Sequence, residues 1–405
     1  MSNGATQTKL YRKGLGLRDQ VKEPLRKDYK GLIVDFAREH GFTLHAGEFT
    51  FRLAKEFGFC YGVDRAVEYA YEARSRFPDK RLFITGEIIH NPFVNRRLEE
   101  MGILFLSGPY GAASKFEAVT ADDVVLLPAF GVSVEELDIL KDKGAILVDT
   151  TCGSVMNVWK NVERYARAGF TSVVHGKHWH EETKATVSRA TSPGGHYLVV
   201  RDMSETHTVC RHIEQGGDAK AFLEFFQAAV SPGFDPDTHL ERIGLANQTT
   251  MLSSESLAIA EVLRASMMKR YGERDIESRF CSFDTICSAT QERQDAVLEL
   301  CAEGVDIMLV IGGYNSSNTT HLAEICSRHF PTFHIADSNR LRSRDLILHK
   351  PIHVSEEIEA RDWLPDGPLK IGITAGASTP DVKVDESIER LLSFRGLTRA
   401  SISAD

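Results

Sequence analysis

Short apolar runs alternate along this chain with polar or glycine-bearing turns, and with segments whose apolar residues recur at helical spacing. RLFITGEII (81–89) leads into HNPFVNRRLEEMG, where Pro92 suits a first helical turn and Gly102 a C-terminal cap. VVLLPAFG (124–131) leads into VSVEELDILKDKG, with Ser133 and Glu136 at capping-box spacing. Further strands are predicted at FTFRLA before Cys60, AILVDTT (145–151), FTSVVHG (170–176), HYLVV (196–200), RIGLANQ (242–248), VDIMLVIGG (305–313), PTFHIAD (331–337) and LKIGITAG (369–376). Strands this apolar, alternating with helices, indicate parallel sheets covered on both faces. At 405 residues, several small α/β units are expected rather than one large sheet. The Gly- and Pro-rich segment 214–241 interrupts the alternation as an insertion, and residues 1–45 carry weak signals apart from an amphipathic stretch at YKGLIVDFAREHG.

Composition narrows the class. The 42% hydrophobic content is ample for packed cores, yet no run approaches the roughly 20 apolar residues of a membrane span. A net charge of −9 argues against nucleic acid as a partner. The N-terminus lacks the apolar block of a secretory signal, so the chain is read as cytoplasmic. Without such a signal, the odd count of seven cysteines argues against a disulfide framework and leaves thiols that are free, metal-bound or catalytic.

Three of those cysteines share a setting. Cys152 follows Asp-Thr-Thr at a strand end, Cys287 ends a second Asp-Thr-x-Cys string, and Cys60 lies between Gly58 and Gly62, each directly before a helix-forming run. A helix N-terminus favours a thiolate. Any one of these cysteines reads as a small buried hydrophobe before it reads as a ligand. The recurrence tips the set of three towards an iron–sulfur cluster with one iron left open. Cys210, Cys281, Cys301 and Cys326 take the core reading.

Other strand ends carry hydroxyls and amides: Ser316, Ser317 and Asn318 in GGYNSSN, and Ser378 in TAGASTP, where Pro380 suits a first helical position. Such turns present N–H and O–H donors to an anion such as a diphosphate; the bland reading is helix capping. His90 ends GEIIH and His180 lies in HGKHWHEETKAT, both placed to donate to an anion, with His175 and His178 as nearby alternatives. Glu181 and Glu182 follow, and a carboxylate beside an anion site suits proton handling. Gln248, Thr249 and Thr250 end RIGLANQTT, where side chains orient a substrate oxygen, relay a proton or cap a turn.

Eight strings in order, GFCYGVDRA, GEIIHNPFV, DTTCGSV, HEET, NQTT, DTICSATQERQ, YNSSN and TAGASTPD, resemble the 4-hydroxy-3-methylbut-2-enyl diphosphate reductase family. The resemblance implies three similar small α/β domains with mainly parallel sheets, arranged pseudo-symmetrically around a central iron–sulfur site. It implies a [4Fe–4S] cluster on Cys60, Cys152 and Cys287, and diphosphate binding by His90, His180, Ser316, Ser317, Asn318 and Ser378, with Gln248 beside the substrate. Glu182 is implied as the proton donor and Thr249 as the hydroxyl near the substrate's own. The implied reaction is reductive dehydroxylation to isopentenyl and dimethylallyl diphosphate, the last step of the non-mevalonate isoprenoid pathway, with the substrate oxygen on the open iron. Ferredoxin or flavodoxin would supply electrons to a monomer or homodimer. Phe130 stands where many bacterial members carry a histidine, which resembles the longer plant and cyanobacterial branch. The expected divisions are an extension (1–48), a first domain (49–152, with the 49–60 strand open to joining the third), a second (153–283), a third (284–381) and a C-terminal helix and tail (382–405). An iron–sulfur hydro-lyase and a non-catalytic redox sensor share the three-cysteine logic.

Overall fold

The computed structural model describes residues 9–108, 116–283 and 285–404. The backbone gathers into two compact units. The first comprises Met1–Arg12, Lys80–Gly86 and Leu104–Cys287, and holds two sheets. One has the order Leu10–Tyr11, Ile146–Asp149, Val124–Leu127, Leu82–Ile84, Ile103–Phe105. The other runs Phe280–Ser282, Ile243–Asn247, Thr171–His175, Tyr197–Val200, with every pairing parallel. Its two central strands are buried at all five positions, as helices on both faces of a sheet require.

The second unit comprises Lys13–Asp79, Glu87–Ile103 and Ser288–Asp405. Its sheet runs Thr332–Ile335, Ile307–Ile311, Leu369–Ala375, Phe49–Leu53, Thr43–Ala46, parallel except for the last pair. The strand Phe49–Leu53 thus pairs with a strand from the far end of the chain. An antiparallel pair, Leu346–His349 with Ile358–Arg361, completes the unit.

The α/β expectation holds: a strand forms within each predicted run. RLFITGEII is a strand only over Leu82–Ile84, because Thr85 onwards leaves the sheet towards the helix Pro92–Glu100. That helix is capped by Asn91, whose side chain accepts from Phe93 N and Val94 N. Ser133 and Glu136 form their capping box. The helix after Pro380 begins one residue later than expected, at Asp381. The insertion contributes Phe222, Phe226 and Phe234 to the core behind the second sheet. Its Gly and Pro content hides this because the aromatic residues sit within one short helix, Ala219–Phe226, and one turn.

Residues 13–45, weak in sequence signal, are built into the second unit. Glu72 accepts from Leu15 N and Leu17 N, and the buried Asp385 accepts from Ile33 N and Val34 N at the start of the helix Leu32–Glu39. Burial pushes the Asp385 carboxyl up to about 6. Arg38 makes a two-pronged ion pair with Asp381 at 2.8 and 3.1 Å. Among the described residues, no helix is long and apolar enough to cross a membrane.

Candidate active site

The recurrence of the cysteine strings has a structural cause, seen three times over. Cys60 and Cys152 cap the helices Tyr61–Arg76 and Gly153–Arg167, and Cys287 directly precedes the helix Ser288–Glu303. Each cysteine N–H donates to the carbonyl lying two residues beyond the end of a neighbouring strand. Cys152 donates to Ala129 after Val124–Leu127 (2.8 Å), Cys287 to Thr249 after Ile243–Asn247 (3.3 Å), and Cys60 to Ala377 after Leu369–Ala375 (3.2 Å). The residue two before each cysteine holds the last carbonyl of that same strand. Thr150 Oγ1 donates to Leu127 O at 2.6 Å, Thr285 Oγ1 to Asn247 O at 3.1 Å, and Gly58 N to Ala375 O at 3.3 Å. The threonine of Asp-Thr-x-Cys is therefore a latch that stops the strand and aims the thiol-bearing residue. Asp149 braces the turn from outside, accepting from Thr151 N and Oγ1 and pairing with Arg12. Asp284, its counterpart in the second string, lies outside the described residues.

All three cysteines are partly exposed, and no disulfide joins the described cysteines. Cys210, Cys301 and Cys326 are buried and Cys281 partly so. Soft sulfur donors repeated at equivalent helix starts fit the three thiolates of an iron–sulfur cluster, a fit made by donor chemistry and turn geometry.

The first unit also places Glu182, Thr249, His180 and Gln248. Glu182 lies in the first turn of the helix Glu181–Thr191 and is 3% exposed. Its Oε1 accepts from Thr249 N at 2.6 Å, and Thr249 Oγ1 donates to Oε2 at 2.9 Å. Because Thr249 O also receives Cys287 N, one residue joins the carboxyl to a cysteine turn. His180 caps the same helix: its Nδ1 accepts from Glu182 N at 3.1 Å, so the neutral ring carries its proton on Nε2 and donates from there. Phe130, at the position noted above, packs edge-on against His180 with ring centroids 6.2 Å apart. Gln248 accepts from Lys177 N and Thr183 Oγ1 and donates to Thr250 Oγ1, cross-linking the turns on which Glu182 and Thr249 sit. Gly176 is obligatory beside it, since a Cβ there would lie 2.9 Å from the Gln248 side chain. Of the alternative histidines, His175 is buried against Ser256 Oγ and His178 lies edge-on against the exposed Trp179.

The second unit places His90, Ser316, Ser317, Asn318 and Ser378. His90 Nδ1 lies 2.8 Å from Glu87 Oε2; a carboxylate only accepts, so Nδ1 is the donor, and His90 donates through Nε2 as well only when it carries both protons. The two histidines are thus wired oppositely. Asn95 fixes Glu87 through its Nδ2. Ser378 Oγ donates to His90 O, and Gly313 comes so close to that carbonyl that a Cβ would lie 2.8 Å away. Ser316 caps the helix Ser317–Ser327, so the capping reading holds for it. Asn318 is 2% exposed; its Oδ1 accepts from Ala377 N, whereas its Nδ2 has no partner among the described residues. A buried amide donor left open carries a desolvation penalty of roughly 1–3 kcal/mol, which an anionic ligand oxygen would relieve.

Behind the glycine turn that precedes these serines, His334 Nε2 donates to Gly312 O at 3.0 Å. Burial depresses its pKa from 6.5 to about 4. Above pH 6.5 the ring is neutral folded or unfolded. As pH falls from 6.5 towards 4 only the unfolded chain takes the proton, so stability is lost in that window. Full protonation would cost roughly 3 kcal/mol. Melting curves at pH 7 and pH 5 should show a larger drop for the wild type than for His334→Gln, whose amide still donates to Gly312; equal drops would refute this.

The sequence reading leaves Glu87, Thr183 and Arg293 without roles, although each lies inside or beside a quoted motif. The i, i+3 spacing of Glu87 and His90 was a legible signal; Arg293 had none, because its partner is a distant carbonyl.

This is an α/β protein whose latched cysteine turns are of a donor type that would suit a thiolate-held metal cluster, and whose amide- and hydroxyl-bearing helix starts are of a donor type that would suit an anionic ligand. The chain belongs to the LytB protein family, which matches residues 51–392. Relatives named 4-hydroxy-3-methylbut-2-enyl diphosphate reductase are 48% identical in Gloeobacter violaceus (over 96% of this chain and 93% of the relative) and 47% identical in Thermosynechococcus vestitus (96% of both). A solved structure described as (E)-4-hydroxy-3-methyl-but-2-enyl diphosphate reductase, the terminal enzyme of the non-mevalonate pathway, is 27% identical with a TM-score of 0.52, covering 85% of this chain and 99% of the other. A Plasmodium falciparum structure at 21% identity and a TM-score of 0.63, covering 86% and 90%, shares the fold.

Proposed function

We propose that this chain reductively removes the hydroxyl of 4-hydroxy-3-methylbut-2-enyl diphosphate, giving isopentenyl and dimethylallyl diphosphate as the last step of the non-mevalonate pathway. The observation that carries the reading is the pairing of Glu182 with Thr249, whose carbonyl also receives the Cys287 N–H. Cys60, Cys152 and Cys287 would hold a [4Fe–4S] cluster, which when bound supplies single-electron transfer and Lewis acidity. His180 and His90 donate to the diphosphate through Nε2, with Ser316, Ser317, Ser378 and Asn318 Nδ2 as further donors. Gln248 holds the wall of the site beside the substrate. The net change consumes two electrons and two protons: the C–O bond breaks, a C–H bond forms and water leaves. Glu182 supplies the proton that turns the departing hydroxyl into water, directly or through Thr249 Oγ1, which can accept from the acid while donating onward. The second proton comes from the substrate's own diphosphate. Ferredoxin or flavodoxin delivers the electrons, one at a time, in the cytoplasm.

Product analysis separates this from a hydro-lyase. With a reductant, both isoprenyl diphosphates should form; without one, no product should form. Dehydrated product appearing without a reductant would overturn the reading.

A further inference from the structure

Arg293 lies in the second turn of the helix Ser288–Glu303, which begins directly after Cys287, and is 3% exposed. Its Nε and Nη2 both donate to the carbonyl of Gly58, at 3.3 and 2.8 Å, and its Nη1 donates to Ala289 O at 2.8 Å. No ion pair engages this guanidinium among the described residues. A buried cation that spends its fork on backbone carbonyls is a costly way to fill space, but an effective way to fix one peptide. That peptide lies two residues before Cys60.

The same turn is gripped from other sides. Gly58 N donates to Ala375 O. Gly58 has a φ of +76°, and a Cβ there would lie 2.8 Å from Asp381 Oδ1. Asp381 is in turn fixed by the two-pronged pair with Arg38. Carbonyl, N–H and Cα face are thus each held by a different element of the second unit.

We propose that Arg293 is a positioning residue that locks the Gly58 turn against the helix following Cys287 and thereby sets how firmly Cys60 holds iron. This rests on the cluster reading above. Arg38, through Asp381, serves the same turn, which gives residues of the N-terminal extension a task at the cysteine.

The test is site-resolved alkylation. The full chain is reconstituted anaerobically with iron and sulfide, exposed to iodoacetamide, and modification at each cysteine is followed by mass spectrometry. Arg293→Lys keeps the charge but loses the fork. It should speed alkylation of Cys60 by roughly 10-fold or more, the scale of losing an outer support of a ligand, while Cys152 and the buried Cys326 keep wild-type rates. Gly58→Ala, which strains the turn from its other side, should give the same selective rise. Unchanged Cys60 alkylation in Arg293→Lys overturns the proposal. So does a parallel rise at Cys152 and Cys326, which would reveal only general loosening of the fold. A wild-type chain that takes up no iron overturns the cluster reading instead, and the Cys60 rates in that chain still decide whether Arg293 holds the turn.

Discussion

Glu182→Gln is expected to lower turnover by roughly 10²- to 10⁴-fold, the span that a positioned general acid contributes, while leaving fold and iron content in place. The substitution is close to isosteric. Glutamine Oε1 can still accept from Thr249 N, and its amide can donate to Thr249 Oγ1, which then acts as acceptor; the first contact of the wild-type carboxyl survives unchanged and the second survives with its polarity reversed. His180 still caps the helix through the backbone N–H of residue 182. What disappears is a proton that can be given away. Steady-state oxidation of a reduced dye with substrate, beside iron content and a melting curve, checks this. Turnover within a few-fold of wild type would remove Glu182 from the proton role.

The second large effect concerns iron. Cys60→Ser, Cys152→Ser and Cys287→Ser should each lose most of their iron after reconstitution, because a hydroxyl is a poor soft-metal donor and the remaining two thiolates leave the cluster under-held. Cys326→Ser should retain it. Cys326 is fully buried in the helix Ser317–Ser327, and its contact with the Cys301 thiol, with burial, pushes its own thiol well up. Its replacement should cost only stability, about 1–3 kcal/mol for a buried hydroxyl with imperfect partners. Equal iron in all four variants would refute the ligand assignment.

Much of this was legible in the chain because the chemistry sits at strand ends, where periodicity changes from two to 3.6 and the punctuation is chemically distinctive. Asp-Thr-x-Cys could be read twice. What could not be read was why threonine recurs there: Thr150 and Thr285 act on Leu127 and Asn247, carbonyls fixed only once neighbouring strands align. The same holds for Arg293 and Gly58, 235 positions apart. That Gln248 is held by Lys177, Thr183 and Thr250 was likewise hidden, because those partners converge on its carboxamide only in the fold. The extension gave weak signals because backbone N–H groups caught by Asp385, and charges caught by Asp381, hold it as much as its apolar face. Such contacts leave no periodic trace.

The most direct test of the central claim is anaerobic. The chain is reconstituted with iron and sulfide, mixed with a reduced viologen dye, and given 4-hydroxy-3-methylbut-2-enyl diphosphate. Oxidation of two dye equivalents per substrate consumed, beginning only on addition of the substrate, is the result this account predicts. A chain that carries its cluster yet leaves the dye reduced would contradict it.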